Sequence, residues 1–187
     1  MPSSPLSDLQ AVFDVVANTL PAAGVECLLV GGFAVNHYGY SRSTLDIDFM
    51  IVSDNRDAVR EAMRNAGFTN ISVLQNAMFF QRPGTTLRVD FLNTDKSSMA
   101  KMQKSAVQAE FCERKVRLPS LQDLLAMKFF ALSQAFGRRA DKDVPDIAWL
   151  TLANGLDVET DLRPLALRFA NETVFRRVRE KIMEIQT

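Results

Sequence analysis

Two aspartates separated by a single residue, Asp46-Ile47-Asp48, follow a glycine pair, Gly31-Gly32, with thirteen residues between. On an extended strand alternate side chains leave the same face, so both carboxylates are predicted to lie a few ångströms apart. Like charges that close raise one another's pKa unless a cation sits between them. Hard carboxylate oxygens without nearby His or Cys ligands suit Mg²⁺ or Mn²⁺, and Mg²⁺ keeps waters and takes further ligands from substrate phosphates. That chemistry points to a nucleoside triphosphate as substrate. A diglycine at a strand-to-helix turn would serve the other end of such a molecule. It exposes backbone N–H groups, allows close approach without a Cβ, and lies at the positive end of a helix. Each piece alone has a plainer reading, a solvated strand end for Asp-x-Asp and a simple turn for Gly-Gly. Their order and spacing argue for a site.

The elements that must position these residues follow from periodicity and punctuation. The opening segment Pro2 to Leu6 is polar and Pro-punctuated, and Ser7-Asp8-Leu9-Gln10 reads as a capping box ahead of a helix that ends at Pro21. Val25 to Val30 is an apolar run without helical period, a buried strand that stops at the glycine pair. A short helix over Phe33 to Tyr38 and a loop from Gly39 to Thr44 lead to a second strand, Leu45 to Val52. In that strand Ile47, Phe49 and Ile51 share one face and Asp46 and Asp48 the other. A helix over Arg56 to Ala66 ends at Gly67, and strands are predicted at Asn70 to Leu74, Met78 to Gln81 and Leu87 to Leu92. Past Asp95 the pattern is ambiguous up to a strand at Lys115 to Leu118. From Ser120 onward it is helical, over Leu121 to Phe136, Val144 to Ala153, Val158 to Phe169 and Val174 to Ile185.

With these elements in place, Gly31-Gly32-Phe33-Ala34, Gly39, Arg42, Thr44, Asp46 and Asp48 together resemble the signature of the nucleotidyltransferase superfamily, which shares the DNA polymerase beta palm fold. The second Gly, and the Gly-x-x-Arg-x-Thr before the aspartates, are most similar to the abortive-infection nucleotidyltransferase toxins and related bacterial minimal nucleotidyltransferases. The close match covers about residues 25 to 52. The resemblance implies an α+β fold, a mixed twisted sheet with flanking helices over residues 1–118, followed by a C-terminal helical region over 119–187. It also implies a third carboxylate on a neighbouring strand that completes a metal site and acts as general base. Asp90, alternating with Val89 and Phe91, is the natural candidate, against the plainer reading of a strand aspartate paired with Arg88 or Arg82.

Lys128 carries an argument of its own. At about 100° per residue the helix from Leu121 gathers Leu121, Leu124, Leu125, Phe129, Leu132 and Phe136 into one stripe with Lys128 in its middle. Its ammonium group must enter a polar cavity or snorkel past the stripe. The resemblance favours the cavity, because it calls for a helix-borne lysine facing the triphosphate, where it would offset charge on the leaving pyrophosphate. The segment Arg138-Arg139-Ala140-Asp141-Lys142-Asp143-Val144-Pro145-Asp146 resembles the basic-then-acidic element that follows this lysine in the abortive-infection branch. Arg139, Asp143 and Asp146 are therefore candidate site residues, while a helix N-cap at Asp143 with Asp146 in its first turn is the alternative. Arg42 could reach a phosphate oxygen, and the Thr44 hydroxyl could fix the loop.

Composition bounds the remaining options. The 187 residues are 47% hydrophobic and 24% charged, the proportions of an ordinary globular protein, and Lys plus Arg equals Asp plus Glu at 22 each. Residues 1–95 carry 10 acidic and 6 basic side chains and residues 96–187 carry 12 and 16, as an acidic metal-holding half and a basic phosphate-holding half would. No apolar run reaches the roughly 18 residues of a membrane helix, and Met1 to Gln10 lacks a signal-peptide pattern, so a cytoplasmic location without membrane partner is expected. Cys27 and Cys112 are not spaced as a metal pair and read as reduced and structural. His37, the sole histidine, supports no catalytic triad, and the Arg176, Arg177, Arg179 and Lys181 patch is interleaved with glutamates like a solvated helix.

The reading that joins these features is a metal-dependent transfer of a nucleoside monophosphate from a triphosphate to an acceptor hydroxyl, releasing pyrophosphate. Asp46, Asp48 and Asp90 would hold the metal, and Gly31, Gly32, Arg42, Thr44 and Lys128 the nucleotide. The acceptor, an RNA, small molecule or protein hydroxyl, is not readable. Two alternatives stay open: a catalytically silent module of a toxin–antitoxin pair, with an antitoxin as partner, and a glycosyltransferase using Asp-x-Asp, which leaves the diglycine and Lys128 unexplained.

Overall fold

The computed structural model describes residues 5–187, so Pro2, Ser3 and Ser4 of the polar opening lie outside the described residues. The architecture is α+β, as predicted, and the chain divides into two compact units. One comprises the residues up to Ala34 together with Ser43–Ser120; the other comprises Val35–Arg42 and Leu121–Thr187.

In the first unit, α1 (Pro5–Asp14) passes through a π-helical turn (Val15–Thr19) into α2 (Leu20–Ala22). Then follow β1 (Cys27–Val30), the start of α3 (Gly31–His37), β2 (Asp46–Val52), α4 (Arg56–Asn65), β3 (Thr69–Val73), β4 (Ala77–Gln81) and β5 (Arg88–Thr94). The five strands form one sheet in the order β1-β2-β5-β4-β3. Only β2 and β5 run parallel; the other pairs are antiparallel, which makes the sheet mixed. Lys96–Ser105 forms α5, and β6 (Val107–Phe111) pairs with β7 (Arg114–Leu118) in a separate hairpin.

One face of the sheet is apolar. Ile47, Phe49 and Ile51 of β2, Val89 and Phe91 of β5 and Phe13 of α1 are all fully buried. The Phe49 and Phe91 rings stack at 5.4 Å, with Phe80 edge-on to Phe91 at 5.8 Å and Phe13 edge-on to Phe49 at 6.2 Å. This aromatic cluster spans the two strands that carry the aspartates and fixes their register from behind.

Two elements escape the sequence reading. Helix α5 buries only Met99, so it shows no apolar stripe, although Asp95 caps it by accepting from the Ser98 N–H at 2.9 Å. Strand β6 alternates between half-buried and exposed side chains, too weak a contrast to stand out. The predicted capping box is also replaced: α1 already includes Pro5, so Ser7 lies inside the helix. Asp8 is fully buried and accepts from Arg82 at 2.6 Å, a pairing 74 residues away that outweighs local capping.

The second unit holds the rest of α3, α6 (Leu121–Ala153), a π-helical turn (Val158–Leu162), α7 (Arg163–Phe169) and α8 (Glu172–Gln186). The break expected after Phe136 occurs at Ala135 (φ −156°, ψ 52°), and helix resumes through the charged residues to Ala153. The inward positions 143 and 146 are aspartates, which hid that stretch from a pattern of apolar residues. Val174, Phe175, Val178 and Ile182 form the buried face of α8, while Arg177 and Lys181 pair with Glu180 and Glu184 on its exposed side. Among the described residues no helix is long and apolar enough to cross a membrane.

Replacing Phe49 with Ala removes the ring shared by Phe13 and Phe91. The expected loss is about 3–5 kcal/mol, read as a lower urea midpoint at unchanged denaturant slope.

Candidate active site

Strand register assembles the first cluster. In the parallel pair, Asp46 lies opposite Arg88 and Asp48 opposite Asp90, and the pleat puts all four on the face away from the phenylalanines. One carboxylate oxygen from each of Asp46, Asp48 and Asp90 lies within 4.8 Å of the others. The predicted third carboxylate therefore reaches the first two. Arg88 belongs to the same cluster: its Nε and Nη2 donate to the two Asp90 oxygens, both at 2.8 Å, and Nη2 also donates to Asp46 Oδ2 at 2.9 Å. The pairing weighed as a plainer alternative for Asp90 thus coexists with the triad. Hydrogen bonding to Asp90 first, and then the charges of the three aspartates, raise the Arg88 pKa against the effect of burial.

The loop before β2 is tied to this cluster. Thr44 donates from its hydroxyl to Asp46 Oδ1 at 2.8 Å, the loop-fixing contact expected of it. Val30 pairs with Asp48 across β1 and β2, so Gly31 follows directly beside that carboxylate. Gly31 has φ +61°, and a Cβ there would overlap the Asp48 carboxylate; a Cβ at Gly32 would come within 2.6 Å of Thr44 Oγ1. Both glycines are demanded by this internal close packing, a reason the sequence reading did not include.

The second cluster lies in the second unit and is a closed charge network. Lys128 neither snorkels nor stands in an uncompensated cavity. It is 5% exposed, and its Nζ donates to Asp143 Oδ1 at 2.8 Å and Asp146 Oδ2 at 2.6 Å. Asp143 also accepts from Arg139 Nε at 2.5 Å. Asp146 receives the Arg42 fork, Nε at 2.6 Å and Nη2 at 2.9 Å. Both aspartates are fully buried in the interior of α6 and cap no helix start, so the capping alternative gives way to ion pairing across 4 to 104 residues. Burial pushes the Asp143 pKa up, but Lys128 and Arg139 outweigh it and hold the group below the usual carboxylate range. Burial acts to lower Arg42, and Asp146 more than reverses it.

The remaining residues stay outside both clusters. His37 is exposed and meets the Tyr38 ring edge-on at 5.1 Å. Cys27 and Cys112 are free thiols. Burial, then the Glu26 charge, pushes Cys27 up to about 12, the direction that favours the neutral thiol.

Two outcomes test this geometry. Because Asp143 is depressed in the folded protein, its contribution is complete above the unfolded value near about pH 3.9 and disappears as pH falls through the lower folded value. Denaturant unfolding across pH should show the gap between wild type and Asp143→Asn widest above about pH 4 and closing below it. Gly31→Ala should cost more than the roughly 1–2 kcal/mol of a left-handed backbone, because Asp48 must also move. Gly84→Ala, at φ +81° in open space, should cost the backbone part alone when the two are compared by thermal unfolding.

Residues 15–185 match the family model for the nucleotidyl transferase AbiEii toxin of a type IV toxin–antitoxin system. Among curated proteins, none matches the chain by sequence. Among solved structures, the antibiotic-resistance factor ANT(2″)-Ia is similar at a TM-score of 0.66 with 16% identity, covering 98% of each chain. An antigenic nucleotidyltransferase-like protein from Paracoccidioides brasiliensis is similar at 0.52 with 22% identity over 94% of this chain and 100% of its own. The lincosamide antibiotic adenylyltransferase LnuA follows at 0.53 with 14% identity over 76% and 95%. At such identities the solved structures speak for the fold, a five-stranded mixed sheet of nucleotidyltransferase type, while the family model spans nearly every residue that builds it: the chain belongs to the AbiEii nucleotidyltransferase toxin family.

Proposed function

We propose that the protein transfers a nucleoside monophosphate from a nucleoside triphosphate to an acceptor hydroxyl. The observation that carries this reading is the convergence of Asp46, Asp48 and Asp90 within 4.8 Å beside Gly31 and Gly32. Three carboxylates with no nitrogen or sulfur donor among them form an oxygen-only set suited to Mg²⁺ or Mn²⁺, and Asp46, Asp48 and Asp90 would hold it. Such an ion supplies Lewis-acid polarisation of the phosphoryl oxygens and makes a nearby hydroxyl more acidic.

The chain's own groups then have distinct tasks. Asp90 accepts the proton of the acceptor hydroxyl as its oxygen attacks the α-phosphorus. The bond from the α-phosphorus to the bridging oxygen breaks, and pyrophosphate leaves with that oxygen. Backbone N–H groups at Gly31 and Gly32 offer donors to phosphate oxygens, and Thr44 holds Asp46 in place. Lys128, Arg42 and Arg139 are assigned to phosphate charge. Three cations on the two carboxylates Asp143 and Asp146 leave a net positive cluster, the sign that a triphosphate or its leaving group requires.

A catalytically silent module would tolerate loss of the third carboxylate, so the completed triad favours catalysis. Within a type IV toxin–antitoxin family the activity would be a toxin's, opposed by an antitoxin. The acceptor is a hydroxyl of RNA, a small molecule or a protein, and a cytoplasmic site of action fits a triphosphate substrate.

The test uses labelled triphosphates with Mg²⁺ and a cell extract, sorted by which class of molecule takes up label. Wild type should transfer label. Asp46→Ala with Asp48→Ala should lose at least about a thousandfold in turnover while keeping the wild-type circular dichroism spectrum, on the scale of losing a principal catalytic element. Undiminished transfer by the double variant would overturn the assignment.

A further inference from the structure

We propose that Arg88 is a displaceable internal cation: it keeps Asp46 and Asp90 together and must release their oxygens for a divalent ion to bind. This rests on the metal reading above and adds a positioning residue to it. Four residues make a square on the β2–β5 pair, Asp46 opposite Arg88 and Asp48 opposite Asp90, three acids and one base. The guanidinium fork takes both oxygens of Asp90 at 2.8 Å and one oxygen of Asp46 at 2.9 Å. A divalent ion would draw on the same carboxylates, since an oxygen of each lies in the 4.8 Å cluster. Two cations cannot share that space without strong mutual repulsion. An arginine stays charged at any working pH, so the conflict is resolved by movement rather than by loss of its proton.

The placement of Arg88 permits that movement. It is the first residue of β5, its side chain is 45% exposed, and its guanidinium rests 5.5 Å from the Phe79 ring centroid. Turning outward opens none of the phenylalanine cluster on the other face. Asp90, by contrast, is 4% exposed and held in the sheet interior, so the acid stays and the base leaves. The opposite case, a permanent clamp that acts together with the ion, makes the reverse prediction: removing it would let the acids splay apart and weaken the ion's site.

Titration with Mn²⁺ alone, followed by calorimetry and by the paramagnetic resonance signal of free Mn²⁺, decides between them. Arg88→Gln should bind Mn²⁺ at least tenfold more tightly than wild type, and Arg88→Lys, a point charge without the fork, should fall between them. With no divalent ion added, Arg88→Gln should melt below wild type, and Mn²⁺ should raise its melting temperature by more. Equal or weaker Mn²⁺ binding by Arg88→Gln, with wild type binding normally, overturns the displacement and leaves the metal reading standing. Absence of Mn²⁺ binding by every chain overturns both. Should Arg88→Gln fail to fold, Arg88→Lys decides, tighter binding than wild type supporting displacement and equal or weaker binding overturning it.

Discussion

Three carboxylates held within 4.8 Å of one another repel, and the rest of the first unit is arranged around keeping them there. At a separation of 4 Å and an effective dielectric of 20, each pair of unit charges opposes convergence by about 4 kcal/mol. What resists is strand register. A slip of one residue between β2 and β5 would drive the aspartates into the aromatic core and expose Phe49 and Phe91, so the apolar face fixes the acidic one. Arg88 offsets part of the repulsion from within the same sheet, and Thr44 steadies Asp46 from the preceding loop.

The second unit meets a similar electrostatic problem with a different outcome. Asp143 and Asp146 are fully buried and saturated by Lys128, Arg42 and Arg139. A buried network of this kind contributes little net stability compared with an apolar replacement, yet breaking it leaves a stranded charge, a loss of several kcal/mol on the order of 3–5. Ionic groups kept at such cost are hard to explain as packing. Their excess positive charge is what the proposed phosphate role draws on. In the triad the acids outnumber the base; here the bases outnumber the acids. The contrast matches the sequence's acidic first half and basic second half.

The architecture constrains the reaction more than the acceptor. A sheet that aligns Asp-x-Asp with a third acid serves any oxygen nucleophile that reaches the same phosphorus, and likeness of fold at low identity carries the scaffold without its selectivity. The family is described as that of a type IV toxin, the role drawn on in the proposed function.

Read alone, the amino-acid sequence determined the strands carrying Asp46, Asp48 and Asp90, the glycine turn, the helical C-terminal region and the superfamily. The elements rest on local signals, namely alternation, glycine punctuation and helical period, and the superfamily on the resemblance of the motif from Gly31 to Asp48. It left α5 and β6 unread because neither presents strong apolar contrast. At Asp143 and Asp146 the sequence left a site role and a helix cap both open, since a local rule sees only neighbours in the chain and the partner Arg42 lies 104 residues from Asp146. Tertiary structure alone decided that Asp90 reaches the first two acids, that Arg88 joins them, and that Arg42 meets Asp146 across 104 residues. Only strand order and register bring such distant charges into contact, and a one-dimensional pattern carries no measure of that distance.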